Sequence, residues 1–201
     1  MSFTRWAIIG LAALALAGCS QPASPPPAAP PAPTMQITAD SFGCIRNLTQ
    51  VGRFYVGNLS GALEATLAVA RSPSGGVYPP GSVVQLVPTE VMVKREAGFN
   101  AQTHDWEFFE LDATPAGSVI RTRGHVDVVN RFGGNCLQCH AQAQPQWDMI
   151  CGRDHGCAPI PLTDDMISAL QKTDPRCPAM ALTTAESEAL QALLRATQQQ
   201  P

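Results

Sequence analysis

The stretch Cys136-Leu137-Gln138-Cys139-His140 constrains the fold more than any other part of this 201-residue chain. On a helical turn positions 136 and 139 share a face, so two thiols and the imidazole that follows them are presented together. A zinc site needs a second Cys/His pair at ligand spacing, which the chain lacks. A thioredoxin-like pair needs a βαβ setting, whereas Asn130-Arg131-Phe132-Gly133-Gly134-Asn135 before the motif reads as a loop. Attachment of a c-type haem uses all three groups: Cys136 and Cys139 add to the vinyl groups at one porphyrin edge, and His140 is the axial iron ligand. The motif therefore predicts one covalent haem c.

The start of the chain is consistent with export, which such a group requires. Arg5 is followed by the uncharged run Trp6 to Ala17 and then by Leu16-Ala17-Gly18-Cys19. The run is shorter than the about 20 residues that span a bilayer, and small residues precede the cysteine. Residues 1–18 are thus expected to be a lipoprotein signal peptide and Cys19 the lipidated first residue; an ordinary secretory peptide cut nearby is the alternative. Ser20 after the cysteine points to the periplasmic face of the outer membrane of a Gram-negative cell. Residues 19–35 are almost only Pro, Ala and Ser, a composition that favours an extended linker rising about 3.1 Å per residue.

Residues 36–201 are enough for one domain with a single core. With a formal net charge of −3 and basic residues scattered singly or in short pairs, the chain has no nucleic-acid surface to offer. Of seven cysteines, one is assigned to lipid and two to haem. Cys44, Cys151, Cys157 and Cys177 remain, and in an oxidising periplasm two disulfides are their natural use, with three connectivities left open.

Short β-prone runs dominate the domain: Arg53 to Val56, Ser82 to Val87, Val91 to Arg95, Trp106 to Leu111, Val119 to Arg123 and His125 to Val129, separated by Pro/Gly turns. They predict an α+β fold that is mainly antiparallel sheet. Helices are expected after Ser60 as N-cap, after Thr163, and after Thr183 with Glu186 as a capping box.

These pieces, in this order, resemble the cytochrome P-460 and cytochrome c-prime-beta family. The resemblance runs over about 53–150. It rests on Phe54-Tyr55-Val56, the helix from Ser60, Tyr78-Pro79-Pro80-Gly81-Ser82-Val83-Val84, Val93-Lys94-Arg95-Glu96-Ala97-Gly98-Phe99, His104-Asp105-Trp106-Glu107-Phe108, and Cys136 to His140 with Asp148-Met149 behind it. It implies an antiparallel β domain whose haem is held by a C-terminal helix, with His140 as the only protein ligand. An open sixth site would bind nitric oxide, carbon monoxide or hydroxylamine. The enzymes of the family also cross-link a lysine to the porphyrin, but Leu86 occupies the matching place and the only lysines are Lys94 and Lys172. That departure favours gas binding over hydroxylamine oxidation. Glu90 aligns with a distal carboxylate of those enzymes and is a candidate catalytic proton group, or else a half-exposed acid at a strand start.

Other candidates are residue types that could serve a haem or simply pack. Met180 is the best-placed thioether for a sixth ligand, which would make an electron carrier, with Met92, Met149 and Met166 behind it. His104, His125 and His155 are further sixth-ligand candidates. Trp106, Phe108, Phe109 and Phe132 are expected to wall the porphyrin. Arg131 either pairs with a propionate or is a solvated loop arginine. The expected partners are a small gas or nitrogen-oxide ligand, a periplasmic redox partner and a membrane reached through the lipid anchor, with self-association left open. Binding module, P-460-type oxidoreductase on hydroxylamine, nitric oxide or peroxide, and six-coordinate electron carrier are the three readings.

Overall fold

In the computed structural model, residues 34–198 are described; the expected signal peptide, Cys19 and all but the end of the expected linker lie outside them. Thr34 onward forms one unit. At its centre is a six-stranded antiparallel meander: β1 (Thr49–Val51), β2 (Phe54–Asn58), β3 (Ser82–Val87), β4 (Glu90–Lys94), β5 (Trp106–Thr114) and β6 (Gly117–Gly124), each beside its sequence neighbour. With α1 (Leu63–Ala70), α2 (Cys136–His140), α3 (Asp164–Lys172) and α4 (Thr184–Gln198), the fold is α+β and mainly antiparallel sheet.

Alternation along the strands gives the sheet two apolar faces. Val83, Val91, Val93, Phe109 and Leu111 point to one and are covered by Ile37 and Phe42 from the N-terminal segment. Val84, Met92, Trp106 and Phe108 point to the other, where Tyr78, Val128, Met149 and Ile150 complete the cluster and Cys136 and Leu137 of α2 pack against it. Strand β5, next to the edge strand β6, is therefore buried on both sides from Trp106 to Leu111. Phe109 lies on the face away from α2 and Phe132 is 48 % exposed, so neither joins the aromatic wall expected from sequence. Trp106 and Phe108 do line that side.

Several local expectations need correction. His125 to Val129 is not a strand, because β6 is already the sheet edge; the chain turns away and keeps only a single bridge, Val129 to Asn135. Helix α1 starts at Leu63 with Ala62 in the cap position, since Asn58 Oδ1 takes the N–H groups of Ser60 and Ala62 and holds Ser60 in a turn. The other two starts behave as read. Thr163 Oγ1 accepts from Met166 N at 3.2 Å, and Thr183 and Glu186 exchange bonds of 3.2 and 2.8 Å as a capping box.

Two disulfides form, Cys44–Cys177 and Cys151–Cys157, leaving Cys136 and Cys139 as free thiols among the described residues. The first ties the N-terminal segment to the chain after α3. A buried pair reinforces it: Arg176 contacts Asp174 at 2.8 Å, Asp174 Oδ2 accepts from Ile45 N at 2.9 Å, and Arg176 also donates to Pro88 O at 2.9 Å.

Candidate functional site around Cys136, Cys139 and His140

Helix α2 is five residues long and is held by its loop rather than by its own length. Asn135 caps it, accepting from Gln138 N at 2.9 Å while its amide donates to Val126 O at 2.9 Å. Cys136 N donates to Val128 O at 3.0 Å. Upstream, Asn130 Oδ1 accepts from Phe132 N and Gly134 N, closing a tight loop in which Gly133 takes φ 81°.

That loop is fastened to the sheet by two carboxylates. Glu90 and Glu110 face each other across β4 and β5 on the same side as Met92 and Phe108. Asn130 Nδ2 donates to Glu90 Oε1 at 3.1 Å, and Arg131 Nε donates to Glu110 Oε1 at 2.7 Å. Arg131 also reaches Leu111 O at 2.6 Å and Asp112 Oδ1 at 3.2 Å. Burial, then the adjacent Glu110, pushes the Glu90 carboxyl up to about 7. Glu110 is 1 % exposed and its Oε2 is buried with no partner among the described residues. Sequence reading passed over Glu110, whose place in Phe108-Phe109-Glu110-Leu111 looks like an ordinary strand charge; its signal is the register that sets it opposite Glu90.

His140 lies against the sheet with its ring 5.4 Å from that of Phe108. Its Nδ1 is 2.8 Å from Met149 O. A carbonyl only accepts, so Nδ1 carries the proton and the lone pair of the neutral ring sits on Nε2. Burial holds the His140 pKa below its ordinary value, which keeps the ring neutral. Nε2 takes no hydrogen bond from the described residues.

The Met149 carbonyl is aimed by an unusual turn. Asp148 and Met149 are consecutive non-glycine residues with φ of 47° and 66°, in the left-handed region. Asp148 is held there by Lys94 Nζ at 2.8 and 2.9 Å, by Tyr78 N at 2.9 Å and, through its own carbonyl, by Trp106 Nε1 at 2.8 Å. Lys94 and Asp148 are 5 % and 3 % exposed, so the pair is a buried, hydrogen-bonded clamp behind His140.

The chain matches no family model, no characterised protein and no solved structure. The site must therefore be judged on its chemistry. Burial, with Glu90 and Glu110 nearby, raises the Cys136 thiol to about 12, and burial also raises Cys139. A reactive dithiol needs the opposite shift. No group of three or more His, Cys, Asp or Glu side chains is placed to hold a bare metal ion among the described residues. Two free thiols and a neutral imidazole against an apolar cluster fit a covalently attached porphyrin iron.

The remaining candidates scatter. Met92 and Met149 are buried in the cluster that receives Cys136. Met180 is 52 % exposed and its sulfur lies 3.1 Å from Arg46 Nη1, beside the Cys44–Cys177 disulfide. His104 stands 3.6 Å from Asp148 Oδ1, His125 edges onto Phe99, and His155 stacks on Trp147 at 3.8 Å.

Proposed function

We propose that this chain is an exported, Cys19-anchored monohaem c-type cytochrome of the P-460 and c-prime-beta kind, and that it binds a small ligand such as nitric oxide or carbon monoxide. The observation that carries the reading is the joint state of α2: Cys136 and Cys139 stay free while the other four cysteines of the described residues pair, and His140 has Nδ1 committed to Met149 O and Nε2 left over. When bound, haem supplies an iron that takes a diatomic ligand or exchanges an electron. Cys136 and Cys139 would hold it by thioether bonds, and His140 Nε2 would ligate its iron. The Met149 carbonyl, fixed by the Lys94–Asp148 clamp, sets the tautomer and orientation of that ligand.

A second reading, oxidoreductase chemistry on hydroxylamine, nitric oxide or peroxide, is favoured by Glu90. A carboxyl whose pKa lies near 7 on the face that carries Cys136 can hold or release a proton at physiological pH. The exposed Met180 thioether, already against Arg46, favours the electron-carrier reading less. The lipid anchor would place the domain on the periplasmic face of the outer membrane, within reach of a periplasmic redox partner.

The test is the visible spectrum of the matured protein, ferric and ferrous, with and without carbon monoxide. A high-spin spectrum that shifts with the gas supports ligand binding. A low-spin spectrum that ignores it would remove this reading in favour of electron transfer.

A further inference from the structure

We propose that the cavity between β2, β3 and α3 takes the propionate edge of the haem, with Arg53 as its guanidinium partner; this rests on the haem reading above. The cavity measures about 550 Å³ and is walled on one side by Phe54, Tyr78, Val84 and Ile150. The same four side chains belong to, or pack on, the cluster that receives Cys136 and Leu137. One apolar surface thus runs from the attachment motif to the cavity. Propionates sit across the ring from the vinyl groups, which explains why the cysteines do not themselves line this space.

The far wall is polar and short of negative charge. Arg53 and Arg153 line it against a single carboxylate, Asp164, with His155 and Gln171 beside them. Arg153 is already bonded to Asp164. Arg53 Nε is buried with no partner among the described residues. Gln171 fixes the turn between β1 and β2 that carries it, donating to Arg53 O at 2.8 Å and to Leu86 O at 2.7 Å. A buried guanidinium N–H lacking a partner is costly, and a carboxylate accepting from Arg53 Nε and the adjoining, more exposed Nη edge answers that cost. Arg131, by contrast, already donates to Glu110, Leu111 and Asp112. A separate organic carboxylate has the same chemistry as a propionate, so the two sources must be told apart.

The experiment uses matured full-length protein with Arg53→Gln, Arg53→Lys and Arg131→Gln, and reads the reduction potential from pH 5 to 9, with benzoate as a free carboxylate probe. Arg53→Gln should lower the potential and move its pH inflection up by about one unit or more, the shift expected when a carboxylate loses a nearby cation. Arg53→Lys should restore part of both, and Arg131→Gln should leave the inflection in place. An inflection that ignores Arg53→Gln, or follows Arg131→Gln instead, overturns the assignment while the haem reading stands. Benzoate that binds the haem-loaded wild type and no longer binds Arg53→Gln would also overturn it, by showing the cavity open to a separate carboxylate. A matured wild type without haem would remove the haem reading itself.

Discussion

Met149 O and His140 Nδ1, 2.8 Å apart, join the motif helix to a left-handed turn that side chains elsewhere in the fold keep in place. The turn is secured by Lys94 at the end of β4, whose ammonium is spent on Asp148 Oδ1 and Oδ2 and on His104 O. Orientation of His140 is thus set by a strand more than forty positions upstream in the chain.

Removing one partner of that clamp leaves a buried charge alone. Lys94→Met should destabilise the domain by about 3–5 kcal/mol in urea titration. A variant as stable as wild type would show that Asp148 finds water instead.

Glu90 gives a pH signature. Its folded pKa, about 7, stands above the ordinary value of 4.5, so between those pH values the folded state binds more protons than the unfolded one. Stability attributable to this group is therefore intact below about 4.5 and is lost as pH rises through about 7. Glu90→Gln should flatten that slope, gaining on wild type between urea melts at pH 5 and pH 8. Parallel curves for the two proteins would contradict the burial assigned to Glu90.

The fold was legible where alternation and turns repeat, as in β3, β4 and β5, and the N-cap of α3 and the capping box of α4 followed from Thr163 and from Thr183 with Glu186. What was not legible depends on partners distant in sequence. Alternation in His125 to Val129 looks like a strand, but only the topology shows that β6 has already closed the sheet. Cys44 and Cys177 are 133 positions apart, and no local pattern pairs them. At the site, Cys136, Cys139 and His140 announce themselves by spacing, whereas Glu110, Lys94 and Asp148 acquire meaning only from register and burial.

The two disulfides should differ in worth. Closing a long loop constrains the unfolded chain more than closing a short one, so Cys44→Ser with Cys177→Ser should cost about 3–5 kcal/mol, and Cys151→Ser with Cys157→Ser less. Thermal melts of the two double variants check this; equal losses would mean that strain or local packing, not loop closure, decides.

Glu110→Gln should loosen the loop before α2, because Arg131 would lose its buried charged partner and keep only Leu111 O and the exposed Asp112. Amide exchange at Phe132 to Asn135 should quicken by at least tenfold, with β2 and β3 unaffected. Unchanged exchange in the loop would show that Asn130 alone suffices.

Haem on Cys136 and Cys139 is proposed to be covalent. Its most direct measurement is haem staining on a denaturing gel, with intact mass, of the chain expressed alongside a c-type maturation apparatus, compared with Cys136→Ala/Cys139→Ala. Wild type should give a stained band heavier by one haem, and the double variant an unstained one. A wild type that carries no haem, or a double variant that stains as strongly, would contradict covalent attachment.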